Sequence, residues 1–119
     1  MVSKTATTST ERRQLLVEAI VAHRRAGDPV VFGAAGRRIT YDDQRLRVEL
    51  VGDERNRLDE LLSAYHVFKV KQPETRKAVD GIVYLSAVTD PKHAGDFIES
   101  LFREVYEFPA EYELESSVV

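Results

Sequence analysis

Apolar positions follow two rhythms along this chain, and the switches between them mark its elements. Leu15, Leu16, Ala19, Ile20 and His23 recur at helical spacing, while Arg12, Arg13, Glu18, Arg24 and Arg25 fall on other faces. Thr8 and Glu11 stand ahead of them at capping-box spacing. Arg24 and Arg25 complement the dipole of the last turn. Pro29 disfavours helical geometry at Asp28, so Gly27-Asp28-Pro29 ends the helix. Val30 to Gly33 and Arg38 to Tyr41 are short runs rich in β-branched and aromatic residues. Gly33-Ala34-Ala35-Gly36 between them predicts a hairpin. After the polar turn Asp42-Asp43-Gln44, Arg45 to Val51 alternates, with Leu46, Val48 and Leu50 opposite Arg45, Arg47 and Glu49. That is a half-buried strand with one wet face.

The same two rhythms alternate in the second half, without an internal repeat. Asp53 is the expected N-cap of a helix whose stripe is Leu58, Leu61, Leu62 and Tyr65. Val67 to Lys71 returns to a period of two, and Pro73 to Val79 reads as a polar loop. Gly81 to Val88 is nearly continuous in apolar residues, which predicts the most buried strand. Asp90-Pro91 opens a helix striped by Phe97, Ile98, Leu101, Phe102 and Val105. Pro109 closes that helix, and Tyr112 to Val118 supplies a last strand. Residues 1–7 read as a disordered leader, and residues 1–119 as one domain. The fold class is therefore α+β, an antiparallel or mixed sheet with helices mainly on one face, in the order α-β-β-β-α-β-β-α-β. From residue 45 onward the order β-α-β-β-α-β resembles the ferredoxin-like split βαβ arrangement, in topology alone.

Composition removes several chemistries. There is no cysteine, so disulfides, zinc–thiolate sites, iron–sulfur clusters and thiol nucleophiles are ruled out. No apolar run has the length of a signal peptide or membrane span, and the expectation is a cytoplasmic protein without a membrane. The net charge is −3, too mild to name a partner, but it is unevenly spread. Residues 1–58 carry 11 basic and 8 acidic side chains, residues 59–119 carry 6 and 12. Such polarity steers a charged partner or favours head-to-tail contact; its bland reading is an ordinary solvated surface.

Candidate chemistry is sparse. Lys92 and His93 follow Asp90-Pro91, where free backbone N–H groups of a helix N-terminus favour an anion, although Asp90 competes for that place. His66 follows Tyr65 at a helix–strand junction near Lys69 and Lys71, all competent acid–base types. A junction histidine more commonly serves the helix end, and His23 also lies where an imidazolium meets the dipole. The three histidines lack the close pairing of zinc ligands, so no metal and no cofactor is expected. Gly33-Ala34-Ala35-Gly36 matches no phosphate-binding loop. Asp42-Asp43 and Glu111/Glu113 read as solvent-facing turn acids.

Three function classes follow. The leading one is a small soluble binding or regulatory module, not an enzyme, acting through a sheet face or by self-association. The C-terminal strand would be its edge, pairing across a two-fold axis in a homodimer. The second is a small acid–base enzyme with His66 or His93 as the catalytic group, which needs a partner group within reach. The third is nucleic-acid binding through Arg37, Arg38, Arg45 and Arg47. The acidic net charge and the lack of aromatics among those arginines argue against it.

Overall fold

Seven strands and three helices fill the residues that the computed structural model describes, 3–71 and 81–118. Strand β1 (Ser3–Ala6) leads into helix α1 (Ser9–Ala26), then strands β2 (Val30–Ala34), β3 (Arg37–Asp42) and β4 (Arg45–Glu49). Helix α2 (Glu54–Ala64) precedes strands β5 (Lys69–Lys71) and β6 (Ile82–Ser86). Helix α3 (Pro91–Ser100) runs into a π-helical turn at Leu101–Val105, and strand β7 (Leu114–Val118) ends the described chain. The α+β class is what the chain adopts, and from α1 onward the elements follow the order read from the pattern. The polar loop expected over Pro73 to Val79 lies outside the described residues.

The strands form one sheet in the order β1-β7-β2-β3-β4-β6-β5, antiparallel throughout. Two crossovers build it. The connection β4–α2–β5 passes over one strand, keeping the split βαβ relation, whereas β6–α3–β7 passes over three. The β2–β3 hairpin thus occupies the place between β4 and β7. Its turn, Ala35-Gly36, has φ of 47° and 84°, and the β3–β4 turn, Asp43-Gln44, has 49° and 58°. Both are two-residue loops with positive φ, whose twist matches that of the flanking strands.

Two expectations are corrected at the sheet's edge. Ser3–Ala6 is not a disordered leader but a strand, with Thr5 opposite Glu115 and Ala6 opposite Leu114. Consequently β7 is not an edge strand; it lies between β1 and β2. Neither Lys4 nor Thr5 is apolar, so β1 has no hydrophobic signature of its own, and pairing with β7 supplies its order. Among the described strands, the edges of the sheet are β1 and β5.

Alternation assigns the two faces. Val30, Phe32, Ile39, Tyr41, Leu46, Val48, Val83, Leu85 and Leu114 are buried beneath the helices. Helix α1 adds Leu15, Leu16 and Ile20, and α2 adds Leu58 and Leu61. Helix α3 and its π turn add Phe97, Ile98, Leu101, Phe102 and Val105. Phe68 stacks on Phe97 with centroids 3.9 Å apart. Helices α1 and α3 meet at Gly95, where an added Cβ would lie 3.4 Å from the Leu16 Cβ. Asp53 holds the N-cap position of α2 without a capping bond; instead Glu54 Oε1 accepts from the Val51 N–H at 2.8 Å.

One buried residue belongs to none of these stripes. Arg12, which helical spacing sets apart from the apolar positions, is 0% exposed. Its Nε and Nη2 donate to the two Glu99 carboxylate oxygens at 3.0 and 2.8 Å. Its remaining N–H groups reach the carbonyls of Thr7, Tyr112 and Ala110 at 2.5, 3.1 and 2.8 Å. The guanidinium also lies 4.0 Å over the Tyr112 ring, and the Tyr112 hydroxyl donates to Glu99 at 2.6 Å. All five guanidinium donors are satisfied, which offsets the cost of burying the charge. This cluster ties α1 to α3 and to the segment before β7.

Candidate functional site

The face of the sheet opposite the helices carries a different set of side chains. Register places Val31, Thr40, Arg47, Tyr84 and Lys71 side by side across five strands. A second row, Asp42, Arg45, Ser86 and Lys69, runs beside it. Neighbours within a row are about 4.8 Å apart, and the rows are roughly 6.6 Å apart along the strands. Arg38 lies on the same face, opposite Gly33. Strands β3, β4 and β5 thus present five cations there, Arg38, Arg45, Arg47, Lys69 and Lys71, against Asp42 and Glu49, and β6 sets Tyr84 and Ser86 between them.

Among the described residues, Arg47 is the one of those cations that stands in an ion pair. Arg47 Nη1 lies 3.3 Å from Glu49 Oε1. Among the described residues, Arg38, Arg45, Lys69 and Lys71 have no carboxylate oxygen within 4.0 Å. All four are exposed, and Tyr84 between Arg47 and Lys71 is half-buried. Beside them Val31 and Gly33 floor a shallow trough of about 790 Å³, walled by Arg38 on one side and Glu113 and Glu115 on the other.

Arg37 is placed elsewhere. It lies on the helix side, ion-paired to Glu54 and 4.4 Å over the Tyr106 ring, and donates to the Glu49 carbonyl at 3.0 Å. The Tyr106 hydroxyl donates to that same carbonyl at 2.7 Å. Burial pushes the Tyr106 phenol up to about 12. Arg37 thereby joins β3, α2 and the end of the π turn, a positioning task for the fold.

Lys92 is exposed in the first turn of α3. The anion position of that turn is taken by Asp90, whose Oδ1 accepts from the His93 N–H at 2.8 Å. That bond to the His93 backbone holds the Asp90 carboxyl below its ordinary range. The His93 ring lies 3.2 Å from the Thr89 hydroxyl and packs against Tyr65 and Phe68, with centroids 5.8 and 5.5 Å away. His66 is exposed beyond the end of α2. No hydrogen bond joins the two histidines among the described residues, and neither stands on the open face.

His23 is buried and fully engaged. Its Nδ1 is 2.6 Å from the Asp28 carbonyl, and the Asp43 N–H donates to Nε2 at 3.1 Å. These partners assign the proton to Nδ1, so the ring pins the end of α1 to the β3–β4 turn. It also borders a cavity of about 220 Å³ between α1 and the β7–β2 pair, lined by Leu15, Ala19, Ala22, Val30 and Ser116. Among the described residues no three of His, Asp and Glu gather as metal ligands. Nor is any described helix long and apolar enough to cross a membrane.

Sequence reasoning missed Tyr84 as a site residue and named Lys69 and Lys71 only as acid–base neighbours of His66, not as part of this face. It read Gly81 to Val88 as the most buried strand, yet within β6 only Val83 and Leu85 are core residues, and Ile82, Tyr84 and Ser86 are half-buried on the open face. The signal was present in the register of polar positions, since Ser86 and Tyr84 are the polar-tipped residues of that run.

Neither a curated protein nor a solved structure is significantly similar to this chain. A family model matches residues 1–119, the whole of it, and the protein therefore belongs to that family, described as a family of unknown function (DUF7975).

Proposed function

We propose that this chain is a cytoplasmic, non-catalytic binding module that docks an anionic partner on the helix-free face of its sheet. One observation carries the reading: cations from β3, β4 and β5, with Tyr84 and Ser86 of β6 between those of β4 and β5, share a face that none of the described helices covers. Arg45 and Arg47 on β4, and Lys69 and Lys71 on β5, stand two residues apart on the same face of their strands, and an anionic partner relieves the repulsion within each pair. Arginine and lysine both occur in the rows, which suits a phosphate- or carboxylate-bearing surface with several points of contact. The histidines are satisfied by packing or lie in solvent, so acid–base catalysis draws no support from their placement.

Inorganic polyphosphate is a suitable probe, because it carries charge without bases or side chains. Calorimetry at low ionic strength is expected to register binding that weakens as salt rises. The triple variant Arg45→Ser, Lys69→Ser, Lys71→Ser is expected to lose it, whereas Arg13→Ser, Arg55→Ser on the helix side retains it. A native protein that binds no polyanion at low salt, or a triple variant that binds as the native protein does, removes the reading.

A further inference from the structure

Resting on that docking face, we infer that its occupant is a single-stranded polynucleotide, with Tyr84 as the platform on which a base stacks. The decisive geometry is the direct opposition of Arg47, Tyr84 and Lys71 on three adjacent strands. An aromatic side chain flanked on both sides by a cation offers a base a π-face and offers its phosphates charge, one strand spacing away on either hand. The parallel row of Arg45, Ser86 and Lys69, bounded by Asp42 opposite Arg45, and Arg38 beyond Thr40 on β3 continue the positive charge away from the ring. A backbone lying along these rows keeps meeting cations after its base has stacked.

Other occupants fit less of this surface. An acidic peptide satisfies the cations but brings no planar group for the ring between them. A duplex hides its base faces within the stack, and reading its major groove takes a protruding helix or ribbon, where this face is a sheet surface with none among the described residues. A single strand alone uses both the charge and the ring. Arg47 enters partly neutralised by Glu49, so phosphate contact there replaces an existing ion pair, while Arg45, Lys69 and Lys71 meet phosphate without that exchange.

The test compares two probes on the intact chain, a fluorescently labelled oligothymidylate read by anisotropy and inorganic polyphosphate as its competitor. The oligonucleotide is expected to bind about tenfold more tightly per phosphate than polyphosphate, the margin being the stacking contribution. Tyr84→Ile keeps a strand-forming side chain and removes the ring, and is expected to erase that margin while polyphosphate binding persists. Tyr84→Phe is expected to keep it. Thermal unfolding of both variants verifies that the sheet is intact. If the native protein shows no margin, or Tyr84→Ile preserves it, the polynucleotide inference falls although polyphosphate binding leaves the docking face standing. If neither probe binds, both fall together.

Discussion

A buried guanidinium destabilises a fold unless each of its N–H groups finds an acceptor, and Arg12 finds five. Burial alone would raise the Glu99 carboxyl, but the hydrogen bonds from Arg12 and Tyr112 outweigh it and hold the group below its ordinary 4.5. A carboxyl depressed in the folded state stabilises above its unfolded value, and that contribution is lost as pH falls through the folded one. Arg12→Met leaves Glu99 charged and unpaired, so at neutral pH it is expected to cost about 3–5 kcal/mol in urea denaturation. In acid, below the ordinary carboxyl range, protonation of Glu99 should shrink that cost. An equal cost at both pH values would contradict the role assigned to the pair. None of this was legible in the sequence: helical spacing places Arg12 relative to α1, and Glu99 and Tyr112 come from segments far along the chain.

Among the elements, those with two-sided contrast were readable. Strand β4 alternates because one of its faces is wet, and α1 and α3 carry caps and stripes that Thr8, Asp90 and Pro91 announce. Strand β1 was not readable, since a short edge strand of polar residues has nothing local to distinguish it from a leader. Strand β6 was overread, because its apolar run hides an alternation between Val83, Leu85 and the half-buried Ile82 and Tyr84. The entry to β6 shows how tightly backbone can constrain an element. Gly81 has φ of 84°, and a Cβ there would lie 2.8 Å from the Leu50 carbonyl oxygen, whose own N–H donates to the Gly81 carbonyl at 2.6 Å. Gly81→Ala therefore meets strain and a backbone clash together, and is expected to lower stability by about 2 kcal/mol in chemical denaturation. Gly33→Ala is the matched comparison, because its added Cβ meets only ordinary contacts at 3.5 and 3.7 Å. Equal losses at the two glycines would refute the backbone argument.

Across the whole molecule, the charge asymmetry acquires a location. The basic first half contributes Arg38, Arg45 and Arg47 to the open face, and the acidic second half adds Lys69 and Lys71 from the edge strand. The acidic Glu113 and Glu115 belong to the β7 side of the sheet, across the trough from Arg38 and farther from the cations of β4 and β5. A mildly acidic chain can in this way present a locally basic surface. Arg45 and Arg47 were legible together on the wet face of one strand, but which of Arg37 and Arg38 joins them was not. Arg37 and Arg38 are neighbours in sequence and point to opposite faces, since side chains alternate along a strand. Tyr84 and the lysines joined the site only when the β4–β6–β5 register was known, because strand order is a property of crossovers and not of any local pattern.

The docking face itself is tested most directly by mapping backbone amide NMR shifts as oligothymidylate is added to the isotope-labelled protein at low salt. The account predicts that the amides of β4, β6 and β5 around Arg47, Tyr84 and Lys71 move progressively, while those of α1 and α3 on the far side stay in place. Shifts concentrated on the helices, or a spectrum unchanged at saturating oligonucleotide, would contradict it.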